Sequence, residues 1–419
     1  MRLRNHQRCR GRLLNLIRSA AAVTLASAQL PNPATRVYLS DASLAAGAQA
    51  LDGSRGVYYV ARGAEAAKFV VWQKGGGWCT SDADCAKRAL SDLGSSAEAF
   101  CPPTVDLATY DESTNFKQLS NNASVNPQAW NWTKVFLPYI DGGSQTGDRD
   151  LPVPVGGGGS HIFYRGARLH RWTVATLLAD EGLARATDVL LGGGSAGALT
   201  TFLHADSWRD ALPPSAKLVA VPDSGFFLNY NSSADANVTY GATMRWLFSA
   251  MNSSGRCACS PRTWRRRCAR QPLRCRARTT RISEWARRAS RSVALRSIRL
   301  ITLPHALPRR LPRPPPFRAM RRIPAIAGLK PGNADAINQY GDLLAARLEA
   351  QFLSTSTNHG VFLDSCFHHV AEWREIVIDG IDNAQALMAF YEGVGKPGQK
   401  VAWKQGKPYP CAACCSRGQ

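Results

Sequence analysis

Residues 186–208 read ATDVLLGGGSAGALTTFLHADSW. Val189-Leu190-Leu191 is an apolar run of buried-strand type, and Leu199, Phe202 and Leu203 give the following segment an apolar helical face. Between them lies Gly193-Gly194-Ser195-Ala196-Gly197, a match to G-x-S-x-G. A serine on a tight strand-to-helix turn is pushed out at the end of a sheet, and its neighbours must be small for the backbone to bend. The helix that follows begins with unpaired N–H groups and a positive dipole end, both of which favour developing negative charge. A glycine-rich loop with an idle serine is the alternative, so the flanking chain has to supply a base and further N–H donors.

The chain has 419 residues, 45% hydrophobic and 20% charged, enough for a sizeable core. Its net charge of +22 would by itself suggest nucleic acid or an anionic surface as partner. The distribution removes that inference. Residues 1–28 hold six arginines and no acid, and residues 253–329 hold 21 arginines and one acid, Glu284. Outside these two segments acids slightly outnumber bases, so no nucleic-acid partner is expected. Twelve cysteines point to an oxidising compartment. Their spacing lacks the paired C-x₂-C pattern with histidines, so no metal site is expected.

Residues 1–28 read as a signal peptide: a basic start, an apolar stretch from Leu13 to Leu25, and Ala26-Ser27-Ala28 as an A-x-A cleavage site. A basic organelle-targeting peptide is the other reading. Five N-x-[ST] sequons, at Asn122, Asn131, Asn231, Asn237 and Asn252, agree with secretion. No apolar run is long enough for a transmembrane helix. Strands are expected from Val57, over Lys68–Gln73, over Lys134–Ile140 and over Lys217–Pro222. A helix is expected over Arg165–Gly182, with Leu169, Trp172, Ala175 and Ala179 on its buried face. Strand–helix alternation in this order implies parallel βαβ units. The strand Lys68–Gln73 runs into Gly75-Gly76-Gly77-Trp78-Cys79, where successive glycines let backbone N–H groups face a ligand. Cys85 is close enough to pair with Cys79, Cys101 awaits a more distant partner, and a disulfide among Cys411, Cys414 and Cys415 would pin the tail. The Asp- and Gly-rich loop from Asp141 to Asp150 lacks the spacing of a calcium-binding EF-hand.

Gly75–Cys79 with Leu93-Gly94-Ser95-Ser96, Tyr139-Ile140-Asp141-Gly142, Phe163-Tyr164-Arg165-Gly166, and Gly193–Gly197 followed by Asp223-Ser224-Gly225-Phe226-Phe227 occur in the order found in the pectin acetylesterases, a family that also includes the lipid deacylase Notum. Asp364-Ser365-Cys366-Phe367-His368-His369 resembles that family's catalytic-histidine segment, and Tyr409-Pro410-Cys411 its C-terminal cysteine segment. The resemblance covers residues 36–252 and 330–415. It implies an α/β-hydrolase-like single domain, with a mostly parallel sheet flanked by helices, and a serine esterase needing no cofactor. Ser195 matches the nucleophile and His369 the base, with His368 as runner-up. Gly77, Trp78 and Ala196 match the oxyanion-hole positions. Ile140 and Val370 stand where the family often has cysteines, and Lys74 where it often has an acid.

A triad in this fold runs serine, acid, histidine along the chain. The acid is expected where residues 290–325 fall, but residues 253–329 contain no aspartate. Residues 256–327 also lack glycine, asparagine and tyrosine. This segment reads as a disordered Arg/Pro-rich insertion, as a nucleic-acid-binding arm, or as sequence out of its coding frame, and the last is preferred; a transcript that still encodes it would exclude that reading. Ordinary helical periodicity returns with Ile337, Tyr340, Leu344, Leu348 and Phe352. Asp335 and Asp342 are expected to face solvent, and Asp223 reads as structural. The expectation is a secreted esterase removing acetyl groups from a cell-wall polysaccharide such as pectin, in peripheral contact with the wall. The alternatives are a Notum-like palmitoleoyl-protein deacylase and an impaired glycan-binding relative.

Overall fold

The computed structural model describes residues 33–109, 117–156, 159–229, 240–253, 329, 332–353, 359–370, 373–393, 398–411 and 414, together with the backbone of 297–303. The expected signal peptide, the sequons at Asn231 and Asn237, and most of the Arg/Pro-rich segment lie outside these residues.

The chain opens with β1 (Ala34–Tyr38), the short α1 (Asp41–Ala45), β2 (Val57–Ala61) and β3 (Glu65–Gln73). Then come α2 (Asp82–Arg88), β4 (Thr104–Val105), β5 (Trp132–Leu137) and the ribbon β6 (Val153–Pro154) with β7 (His161–Ile162). The central section holds α3 (Gly166–Asp180), β8 (Asp188–Gly194), α4 (Ala196–Ala211), β9 (Lys217–Asp223) and α5 (Tyr240–Ala250). The last section holds β10 (Ser297–Leu303), α6 (Ala334–Leu348), β11 (His359–Phe367), the ribbon β12 (Val377–Ile378) with β13 (Ile381–Asp382), α7 (Asn383–Gly393) and β14 (Ala402–Lys404).

Ten strands form one sheet in the order β14-β11-β10-β9-β8-β3-β5-β2-β1-β4. From β14 to β5 every pairing is parallel, while β2, β1 and β4 add an antiparallel edge. This is the expected mostly parallel α/β-hydrolase-like sheet flanked by helices. β10, from within the Arg/Pro-rich segment, fills the place between β9 and β11. A parallel strand covered on both faces must be apolar throughout. β5 is accordingly buried at every position, although it carries Thr133 and Lys134, and the antiparallel β2 is buried along its whole length as well.

The register aligns the strand ends. Gln73 pairs with Gly193, and Gly194 with Asp223, so the loops after β3, β8 and β9 leave the same edge of the sheet. Ligand sites of open α/β sheets form at that edge.

α3 occupies its expected span, but its buried stripe is rotated. Leu169, Thr173, Val174 and Leu177 are buried, whereas Trp172 and Ala175 are partly covered and Ala179 is exposed. Spacings of three and four place either set on one side of a helix, and with apolar residues on more than one side of this helix the pattern does not choose between them. α6 matches its expected face, with Ile337, Tyr340, Leu344 and Leu348 all buried, and Phe352 buried just beyond it. Cys79 pairs with Cys85 as expected, and Cys411 pairs with Cys414. Cys101 does not find the expected distant partner: it is a buried free thiol.

Candidate active site

Ser195 stands between β8 and α4 with φ 55° and ψ −124°. A non-glycine residue held at positive φ is strained and persists only where its surroundings impose it. Here the surroundings are glycines in close approach. A Cβ on Gly197 would lie 2.1 Å from the carbonyl oxygen of Gln73, and one on Gly75 would lie 2.9 Å from the Cβ of Ser195. The Ser195 N–H donates to the carbonyl of Asp223 at 2.9 Å. The Ser195 residue is 6% exposed, and its Oγ makes no hydrogen bond within the described residues, so the serine is not hydrogen-bonded to a histidine in this conformation.

The 75–79 loop is held by its carbonyl groups. Arg88 donates to the carbonyls of Gly76 and Trp78 at 2.7 and 2.9 Å, and the Tyr139 hydroxyl donates to that of Gly77 at 2.6 Å. The Cys79 N–H donates to the Gly142 carbonyl at 3.0 Å, and the Cys79–Cys85 disulfide closes the loop onto α2. Among the described residues no acceptor takes the N–H of Gly76, Gly77 or Trp78. Ala196 begins α4, where the N–H groups have no acceptor within the helix. Ser144 links the two donor groups: its Oγ accepts from Trp78 Nε1 at 2.8 Å and donates to the Ala196 carbonyl at 2.8 Å.

Ser144 belongs to the loop after β5, which Asp141 anchors by accepting the N–H groups of Gly143 and Gln145 at 3.2 and 2.7 Å. Burial pushes the Asp141 carboxyl up to about 6, against those hydrogen bonds. Beyond Trp78 a small pocket is lined by Leu199, Leu203, Met244 and Leu247 of α4 and α5, with Ser144 and Gly143 at its polar side. Phe227 and Tyr240 pack on the Trp78 ring with centroids 4.9 and 5.6 Å away.

The histidine turn follows β11. His368 is 1% exposed, and its Nε2 lies 3.0 Å from Oδ1 of the sealed Asp364. Burial opposes its charged form, but Asp364, Glu375 and Asp223 prevail and raise its pKa above the ordinary histidine value. His369 is only half-buried. Val370 packs 3.4 Å from the position a Cβ on Gly194 would take, and its N–H donates to Ser224 Oγ at 3.0 Å. The turn therefore rests on the Ser195 elbow and on the segment after β9.

Of the residues singled out from sequence, Ser195, Gly77, Trp78, Ala196, His368 and His369 all lie on the loops at this one edge. Asp335 and Asp342 are exposed on α6. Arg88 and Ser144 were missed, since an arginine at a helix end and a serine in a turn carry no local signal; Ser224 was legible only as part of the Asp223–Phe227 motif. Among the described residues no cluster of metal-ligating side chains occurs, and no helix is long and apolar enough to cross a membrane.

The family model described as Pectinacetylesterase matches residues 28–275. Pectin acetylesterase 11 of Arabidopsis thaliana is 35% identical over 195 residues, which is 46% of this chain and 46% of that protein. Palmitoleoyl-protein carboxylesterase notum1 of Xenopus laevis is 28% identical over 182 residues, 42% of this chain and 34% of that protein. The chain thus spans less than half the length of the curated relatives it matches. A solved structure of the Wnt deacylase Notum from Drosophila shares the fold with a TM-score of 0.62 at 22% identity, covering 90% of this chain and 98% of that one.

Proposed function

The chain belongs to the pectinacetylesterase family, and we propose that it is a secreted serine carboxylesterase that removes acetyl groups from a cell-wall polysaccharide such as pectin. The observation that carries this reading is the strained Ser195 at the N-terminus of α4, facing a loop in which the carbonyls of Gly76, Gly77 and Trp78 are tied back while the N–H groups of the same three residues have no acceptor among the described residues.

Serine hydroxyls are weak nucleophiles and need a neighbouring base. Ser195 Oγ attacks the ester carbonyl carbon while His369 takes its proton. The tetrahedral oxyanion is held by N–H groups of Ala196, Gly77 and Trp78; one such donor is worth about 2.7–4 kcal/mol of barrier. The intermediate collapses, the C–O bond to the sugar breaks, and His369 returns the proton to the leaving alcohol oxygen. Water then attacks the acetyl-serine with His369 again as base, releasing acetate. His369 is preferred to His368 because the latter is sealed against Asp364. In this reading the acyl group is bound in the small, mostly apolar pocket beside Trp78 lined by Leu199, Leu203, Met244 and Leu247. The higher identity to pectin acetylesterase 11 (35%) than to palmitoleoyl-protein carboxylesterase notum1 (28%) favours acetyl over a long acyl chain. Residues 36–252 and 330–415 make up the hydrolase body in this reading, and the intervening 253–329 adds β10 to its sheet.

Hydrolysis of p-nitrophenyl acetate by the full chain and by Ser195→Ala tests the reading. The variant is expected to lose at least ~10³-fold in kcat. Equal rates for the two proteins overturn it. Faster turnover of the p-nitrophenyl palmitate ester than of the acetate would favour the lipid-deacylase reading instead.

A further inference from the structure

The strand beside β11 in the sheet is β10, and no carboxylate follows it before Asp335. Asp335 is exposed on α6 and so is Asp342. A triad acid in the usual place is therefore missing from this chain, yet the histidine turn is not loose. Val370 adopts φ 65°, a conformation that a β-branched residue holds only under constraint. The constraint is visible. The Val370 N–H donates to Ser224 Oγ at 3.0 Å, and Ser224 Oγ donates to Asp223 Oδ1 at 3.0 Å. A hydroxyl has one hydrogen to give; committing it to Asp223 leaves its lone pairs aimed at the Val370 N–H. Ser224 is itself held at φ 54°, and both Ser224 and Asp223 are buried. The main chain of Asp223 meanwhile accepts the Ser195 N–H at 2.9 Å. One residue at the end of β9 thus grips the nucleophile by its carbonyl and the histidine turn by its carboxyl.

We propose that Asp223 is a positioning residue for the histidine base, acting through Ser224 Oγ on the Val370 N–H and so fixing the turn that carries His369 in a chain with no carboxylate after β10. This rests on the assignment of Ser195 and His369 above. Asp223 does not touch the reacting atoms. It takes the place of the absent acid in one respect only, holding the base in register with the serine through the adjacent peptide. His368 of the sealed His368–Asp364 pair acts on Asp223 as an opposite charge, while Asp364 acts on it as a like charge.

The test uses the full chain and p-nitrophenyl acetate. Ser224→Ala and Asp223→Ala are each expected to lower kcat about tenfold or more with KM within about twofold, the scale of one buried hydrogen bond. The double variant is expected to be no slower than the slower single one, because both break one relay. Asp223→Asn keeps size and an acceptor oxygen, and is expected to recover most of the kcat lost in Asp223→Ala. Should Asp223→Ala not fold, Ser224→Ala and Asp223→Asn carry the same test. Wild-type kcat in Ser224→Ala, or losses that multiply in the double variant, overturns the proposal while Ser195→Ala remains inactive. An active Ser195→Ala instead overturns the esterase assignment beneath it.

Discussion

Gly75 has no room for a side chain. A Cβ there would sit 2.5 Å from the Gly194 carbonyl oxygen and 2.9 Å from the Cβ of Ser195. Both obstacles belong to the serine turn itself, so relief has to come from moving the nucleophile or the donor loop. Gly75→Ala is therefore expected to lower kcat about 10²-fold, the cost of misplacing a reacting group by about an ångström. Steady-state kinetics beside a circular-dichroism spectrum checks it; unchanged kcat in a folded variant would mean the loop does not serve the serine. At this scale the sequence was most legible. Gly193–Gly197 and Gly75–Cys79 stood out because close backbone approach admits only glycine, a requirement written directly in residue type. Arg88 and Ser144 were illegible because their roles lie in partners 10 and 66 positions away along the chain.

Elements were legible where hydrophobic contrast was strong. α6 buries Leu344, 1% exposed, in a cluster with Val361, Leu363 and Phe367 of β11, the strand that delivers the histidine turn. Leu344→Ala is expected to cost ~2–5 kcal/mol of unfolding free energy. Urea titration checks it, and a loss below about 1 kcal/mol would mean that the site collapses around the change. α3 shows the opposite case. Its span was readable, but its buried face turned out to include His170 and Thr173, because the partners it meets are polar as well as apolar. β10 is a further instance: its surroundings in sequence, crowded with arginine and proline, gave no strand signal, and its place is defined by pairing with β9 and β11.

Across the whole molecule, stability carries opposed pH terms. His170 of α3 and His204 of α4 stack with ring centroids 3.9 Å apart. Burial first, with Arg171 adding, depresses both, His204 to about 4 and His170 well below its ordinary value. Unfolded, each histidine takes a proton near 6.5, so the stability they contribute is present above that pH and is lost as pH falls towards 4. Asp141 and Asp223 run the other way: burial raises them to about 6 and about 7, so their contribution is present at low pH and is lost as pH rises through those values. The sum is expected to be flat, and the histidine part emerges only by difference. Between pH 7.5 and 4.5 the stability advantage of the wild type over His204→Gln is expected to shrink by about 3 kcal/mol. Urea unfolding of both proteins at the two pH values reads this directly, and a constant difference would show that His204 is charged in the folded state.

By itself the sequence determined the serine turn, the glycine loop, the parallel βαβ alternation and the family. Each of these is encoded by local residue type and spacing, because backbone bends demand glycine and buried strands demand apolar runs. The tertiary structure alone decided how Trp78, Ser144 and Ala196 join, which histidine is sealed and which half-exposed, and that the Asp223 carboxyl reaches Val370 through Ser224. Those are contacts between loops that only the sheet register brings to one edge, and nothing in the chain's local chemistry announces them.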